Sequence, residues 1–195
     1  MVNVAVLVSG GGTNLQAILD AKEAGALPNV HLALVLSSKP DVYALTRAEK
    51  SGVATQVVCR KNFADSDAFN DALLAALREK QIEIIVLAGF LSILSEKIIK
   101  AYPEKIINVH PSLIPSFCGA GYYGLKVHEA VLARGVKITG ATVHFVNEIP
   151  DGGRIILQQA VAVEPNDTPE SLQKRVMEQA EWKILPKALA LLTQE

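Results

Sequence analysis

The chain has 195 residues, half of them hydrophobic, with 19 basic and 20 acidic residues that leave a formal charge of −1. That composition excludes a disordered chain, and it offers no bulk attraction for nucleic acid or an anionic membrane. Two cysteines, Cys59 and Cys118, are too few for a disulfide framework, and no apolar stretch reaches the length of a membrane span, so a soluble cytoplasmic protein is expected.

Residues 4–8, 32–36 and 84–87 are short apolar runs without polar alternation, the pattern of strands covered on both faces of a parallel sheet. Helical spacing lies between them. Residues 14–24 set Leu15, Ile18 and Leu19 on one face, a polar helix runs over 42–50, and residues 68–80 align Phe69, Leu73 and Leu77. Residues 53–58 read as a weaker strand, and a helix over 93–102 leads into a short strand at 106–109. The segment 110–124 then holds five glycines and prolines and no periodicity, a long loop of the kind that usually carries function. A helix over 126–134 follows, then two β-rich runs at 139–147 and 154–163 joined by the turn Pro150-Asp151-Gly152-Gly153. Thr168 caps a last helix, with Pro169 in its tolerated first position, and Pro186 is expected to kink or divide it. With no repeat, linker or low-complexity tract, residues 1–195 read as a single domain. The fold class is α/β: a doubly wound, mostly parallel Rossmann-type sheet with an antiparallel addition near the C-terminus.

Three local patterns carry chemistry. Ser9-Gly10-Gly11-Gly12-Thr13-Asn14 follows the first strand and opens the first helix, where glycines admit a ligand to the backbone and unpaired N–H groups attract an anion. A tight turn explains the glycines equally well, but the position at the carboxyl end of a strand favours a phosphate. No Gly-Lys-Ser/Thr closes the loop and Leu15 stands where a dinucleotide fingerprint needs a small residue, so the pattern suits a phosphate monoester. Asn108 and His110 share one side of a strand end; an amide donor beside an imidazole suits acyl transfer. Taken alone, the pair reads more readily as a buried couple closing a proline-rich turn. Asp151 is by itself a turn residue, and its functional reading is a carboxylate that orients a histidine and keeps it charged. His128 is expected on a solvated helix face and His144 in the core or behind the site. The spacing of His110, Cys118, His128 and His144 matches no zinc site, so no metal is expected.

In order and spacing, Ser9-Gly10-Gly11-Gly12-Thr13-Asn14-Leu15-Gln16, Leu87-Ala88-Gly89-Phe90-Leu91, Asn108-Val109-His110-Pro111-Ser112-Leu113-Ile114-Pro115, Thr142-Val143-His144-Phe145 and Asp151-Gly152-Gly153 resemble the phosphoribosylglycinamide formyltransferase family across essentially the whole chain. The resemblance implies a formyltransferase-like fold and transfer of a formyl group from 10-formyltetrahydrofolate to glycinamide ribonucleotide in purine synthesis. The folate is then a consumed cosubstrate, with no tightly bound cofactor. It assigns catalysis to Asn108, His110 and Asp151. It assigns the ribonucleotide's phosphate and ribose to Gly12, Thr13, Asn14, Leu15, Gln16 and Glu181, the last on a helix with one more residue before it than the family's. The folate falls to Leu91, Ser92, Ile93, Leu94 and Asn108, together with backbone near residues 147–151, with Ser112 and His144 behind. The chain departs from the family where Ser66 and Ser92 stand in place of arginines, Trp182 in place of a histidine and Arg154 in place of a proline; Arg60 and Lys61 are nearby basic residues. Partners are the two small molecules, without nucleic acid or membrane, acting on a monomer or weak homodimer. The competing reading is a sugar-phosphate-binding module that uses the glycine loop alone, for which the three catalytic residues have no purpose.

Overall fold

Alternation along a single strand shows how the layers form. In β1 (Val2–Val8), Val4, Val6 and Val8 enter one apolar core while Ala5 and Leu7 enter another on the opposite face. A strand that is apolar on both sides requires a cover on both sides, and the computed structural model, which describes residues 1–194, supplies it. The sheet has seven strands: β1, β2 (Val30–Ser37), β3 (Thr55–Val57), β4 (Ile84–Leu87), β5 (Ile106–His110), β6 (Ile138–Phe145) and β7 (Ile155–Ala162), in the order β3-β2-β1-β4-β5-β6-β7. The first five pair in parallel, whereas β6 runs antiparallel to both neighbours. Helices α1 (Thr13–Glu23), α2 (Tyr43–Lys50), α5 (Leu125–Arg134), α6 (Pro169–Val176) and α7 (Trp182–Leu192) cover one face. Helices α3 (Ser66–Glu79) and α4 (Glu96–Ala101) cover the other. Each large apolar side chain removed from water contributes about 1.5–3 kcal/mol, so these two cores hold the layers together.

The sheet reads outward in both directions from β1 and β4, which makes the crevice between their carboxyl ends the natural place for a ligand. Ser9 closes that crevice from below: its hydroxyl bonds to Ser38 Oγ at 2.7 Å and accepts the Leu91 N–H at 3.0 Å. The loops after β1, β2 and β4 are thereby tied together.

Two expectations need correction. The helix expected over 93–102 begins only at Glu96, because Asn70 of α3 accepts the Ser95 N–H and holds the preceding segment irregular. Pro186 does not divide the last helix. The irregularity falls earlier, in a π-helical turn over Met177–Glu181, and Pro186 lies buried in the first turns of α7. Among the described residues no helix is long and apolar enough to cross a membrane.

Candidate active site

One end of the crevice is the glycine loop. Gly12 sits at φ +74°, and a Cβ there would fall 2.7 Å from Ala44 Cβ, so both backbone conformation and close packing on α2 demand glycine. Asn14 opens α1 and donates through Nδ2 to Glu181 Oε2 at 2.6 Å. Glu181 is only 6% exposed, and burial raises its carboxyl to about 7 against the lowering effect of the Asn14 bond. Asn14 Oδ1 is buried without a protein partner, an acceptor available to a ligand hydroxyl. Leu15 is fully buried in the core, so it can offer a ligand only its backbone. The Gln16 side chain is engaged: Oε1 accepts from Arg47 Nη1 at 2.8 Å and Nε2 donates to Asp20 at 2.7 Å. Thr13, Gln16, Ala17, Asp20, Arg47 and Trp182 line a cavity of about 260 Å³ beside the loop.

The other end lies at the carboxyl edge of β5. Asn108 and His110 project from alternate positions, and Asp151 reaches them from the turn that leads into β7. That turn approaches the sheet closely, since a Cβ on Gly153 would meet the Phe145 carbonyl at 1.7 Å. Asp151 Oδ2 stands 3.5 Å from His110 Nδ1 and accepts the Gly119 N–H at 2.8 Å, while Oδ1 stands 3.5 Å from His144 Nε2. His144 Nδ1 lies 2.8 Å from the Phe145 carbonyl and therefore carries its proton there. Its Nε2 then receives Asn108 Nδ2 at 3.3 Å. Ile93, Leu94, Ile99, Asn108, His144 and Asp151, with residues 146–150, line a second cavity of about 150 Å³. Ile93, 82% exposed, presents an apolar lip to it.

Electrostatics revise the expected role of Asp151. His110 is 4% exposed, and burial pulls its pKa below the ordinary value, outweighing the Phe117 carbonyl and the Asp151 charge that pull it upward. The unliganded imidazole is therefore neutral near pH 7, contrary to the expectation that Asp151 keeps it charged. Its Nε2 donates to the Phe117 carbonyl at 2.9 Å, which leaves the Nδ1 lone pair on the Asp151 side. Burial pushes the Asp151 carboxyl up, yet the group ends below its usual range, held there by the Gly119 N–H that it accepts.

The structure thus gathers Asn108, His144 and Asp151 at the cavity that Ile93 and Leu94 also line, with His110 against Asp151, and separately pairs Asn14 with Glu181. Leu91 and Ser92 do not line either cavity; Leu91 bonds Ser9 through its backbone instead. Ser112 is buried and gives its hydroxyl proton to the Ser116 carbonyl at 2.6 Å, shaping the loop. His128 is not on a solvated face. It is fully buried on α5 with both ring nitrogens unpartnered, and burial with the nearby His110 lowers it to about 4. Among the described residues no three His, Cys, Asp or Glu side chains converge to hold a metal ion. Sequence reasoning missed Arg47 and Phe117 and, within the glycine-loop motif, the bond that the Ser9 hydroxyl accepts; these contacts span 36, 7 and 82 residues and follow no local pattern.

The formyl transferase family model matches residues 2–189. The phosphoribosylglycinamide formyltransferase of Haemophilus influenzae is 40% identical over 194 residues, covering 100% of this chain and 88% of that protein. The trifunctional purine biosynthetic protein adenosine-3 of Bos taurus is 46% identical over 97% of this chain, which spans only 18% of that much longer protein. Among solved structures, glycinamide ribonucleotide transformylase 1 from Symbiobacterium toebii superposes with a TM-score of 0.93 at 39% identity, covering 100% of this chain and 88% of that one. The phosphoribosylglycinamide formyltransferase of Brucella melitensis gives 0.89 at 41% identity, with 99% and 96% coverage. A parallel sheet with an antiparallel C-terminal pair, the polar group at the β5 edge and a family match over nearly the full length agree: the chain belongs to the formyl transferase family.

Proposed function

We propose that the chain transfers the formyl group of 10-formyltetrahydrofolate to the amino group of glycinamide ribonucleotide, yielding formylglycinamide ribonucleotide and tetrahydrofolate. The observation that carries this reading is the convergence of Asn108, His110 and Asp151 at the β5 edge, beside an apolar-lipped cavity, in a chain that also carries the glycine loop. A flat heterocycle suits the first of these. A phosphate monoester suits the unpaired N–H groups of the second, with Asn14 and Glu181 positioned for ribose hydroxyls.

In this chemistry the neutral amine attacks the formyl carbon and charge develops on the formyl oxygen. Asn108 spends one Nδ2 hydrogen on His144 and has the other for that oxygen. Neutral His110 takes the proton released by the amine. The resulting imidazolium is then held between the Phe117 carbonyl and Asp151, both acceptors. It returns the proton to the folate nitrogen as the carbon–nitrogen bond to the folate breaks, so the amine loses one proton and the leaving nitrogen gains one. Alignment of the two substrates in one crevice supplies much of the remaining acceleration.

The test is a folate-release assay run with and without glycinamide ribonucleotide. Release that depends on the acceptor is expected; equal release without it would make the chain a hydrolase, and none from folded protein would leave a binding module.

A further inference from the structure

We propose that Arg47 sets the glycine loop for the substrate's phosphate and supplies that site's positive charge; the inference rests on the reading of the loop given above. The loop's carbonyls are taken by α2. Gly10 O accepts the Ala44 N–H at 3.3 Å, and Gly11 O accepts Arg47 Nε at 2.9 Å. A trans peptide points its N–H opposite its carbonyl, so these two bonds turn the N–H groups of Gly11 and Gly12 away from α2. Among the described residues neither N–H donates to a protein acceptor, nor does that of Thr13 at the start of α1. The loop is held with its donors displayed.

Arg47 also fixes its own charge in place. Its guanidinium lies 4.8 Å over the Tyr43 ring and gives a second bond, from Nη1 to Gln16 Oε1 at 2.8 Å. Two of its five N–H groups are used, which leaves three. Among the described residues no carboxylate is in ion-pair contact with it, and Asp20, on the same cavity, reaches it only through Gln16. The first turn of α1 carries no acidic residue to oppose an anion. Arg47 and Thr13 border the same cavity, so the free donors and the loop meet at one place. Arg47 is a positioning residue for the loop and a charge partner for a dianion, acting in binding and not in transfer.

The experiment compares the wild type, Arg47→Met and Arg47→Lys. Calorimetry measures ribose 5-phosphate binding, thermal melting reports folding, and kinetics use glycinamide ribonucleotide and its dephosphorylated nucleoside as acceptors. Arg47→Met should weaken ribose 5-phosphate binding and raise KM for the ribonucleotide by roughly 10- to 100-fold, the worth of one or two hydrogen bonds to a charged group. The folate KM and kcat should stay within about twofold. The preference for the phosphorylated acceptor should shrink by the same factor, and Arg47→Lys should recover part of it through charge alone. Unchanged ribose 5-phosphate affinity in Arg47→Met, or equal loss with both acceptors, overturns the proposal. If Arg47→Met fails to fold, the same comparison rests on Arg47→Lys, whose wild-type affinity would overturn the loop-setting role. Wild-type protein that binds ribose 5-phosphate through Arg47 yet transfers no formyl group would refute the proposed reaction and leave this inference standing.

Discussion

The two ends of the crevice are built on opposite plans. At the glycine loop everything is in close contact: Gly12 packs on Ala44, two loop carbonyls are bonded to α2, and Asn14 meets Glu181 at 2.6 Å. At the β5 edge the reactive groups stand apart, with Asp151 3.5 Å from both imidazoles and Asn108 3.3 Å from His144. Separations of 3.5 Å are too long for strong hydrogen bonds. A phosphate changes little during formyl transfer, so its site can be finished in advance. The transfer site must stabilise charge that exists only during reaction, and its contacts tighten when that charge arrives.

This contrast is broken most severely at the transfer end. His110→Ala and Asp151→Asn should each lower turnover by roughly 100- to 1,000-fold or more while ribonucleotide affinity, measured by calorimetry, stays near the wild-type value. Wild-type turnover in both would remove the mechanism. At the other end, Gly12→Val forces a side chain into Ala44 at a left-handed φ, and should cost about 1–3 kcal/mol of stability while sharply weakening ribonucleotide binding. Adding Ala44→Gly removes the contact with the Ala44 Cβ but neither the 2.9 Å approach to the Cα of residue 44 nor the φ, so melting curves of the double variant should recover only part of the loss.

Glu181 sharpens the comparison because it couples stability to binding. Its folded-state pKa of about 7 exceeds the ordinary 4.5, so the folded chain holds a proton that the unfolded chain has lost. Stability therefore falls as pH rises from 4.5 to about 7, then levels off. Glu181→Gln should be more stable than the parent by roughly 1–3 kcal/mol above pH 7, with the gap closing near pH 4, and should bind the ribonucleotide less tightly. A gap independent of pH would contradict the raised pKa. The smallest expected effect is in the pH profile. Because burial lowers His110 from 6.5, the ascending limb of kcat/KM should lie below pH 6.5 in the wild type.

Legibility in the sequence divides along the same line. The apolar runs of β1, β2 and β4 announce a sheet covered on both faces, and Asn108, His110 and Asp151 are visible as chemistry once their order is matched to a family. What escaped is tertiary. The hydroxyl of Ser9 and the guanidinium of Arg47 have no local pattern, because their partners are set by how strands and helices pack. His128 follows helical spacing but faces inward, since α5 turns that side to the sheet. The protonation of His110 was misread because a neighbouring carboxylate is visible in sequence, whereas the burial that outweighs it is not.

The most direct test of the central claim follows the formyl carbon itself. With carbon-13 in the formyl group of 10-formyltetrahydrofolate, NMR of the reaction with glycinamide ribonucleotide should show the label in the formamide of the ribonucleotide product. Label recovered as free formate, at the same rate with and without the acceptor, would contradict formyl transfer.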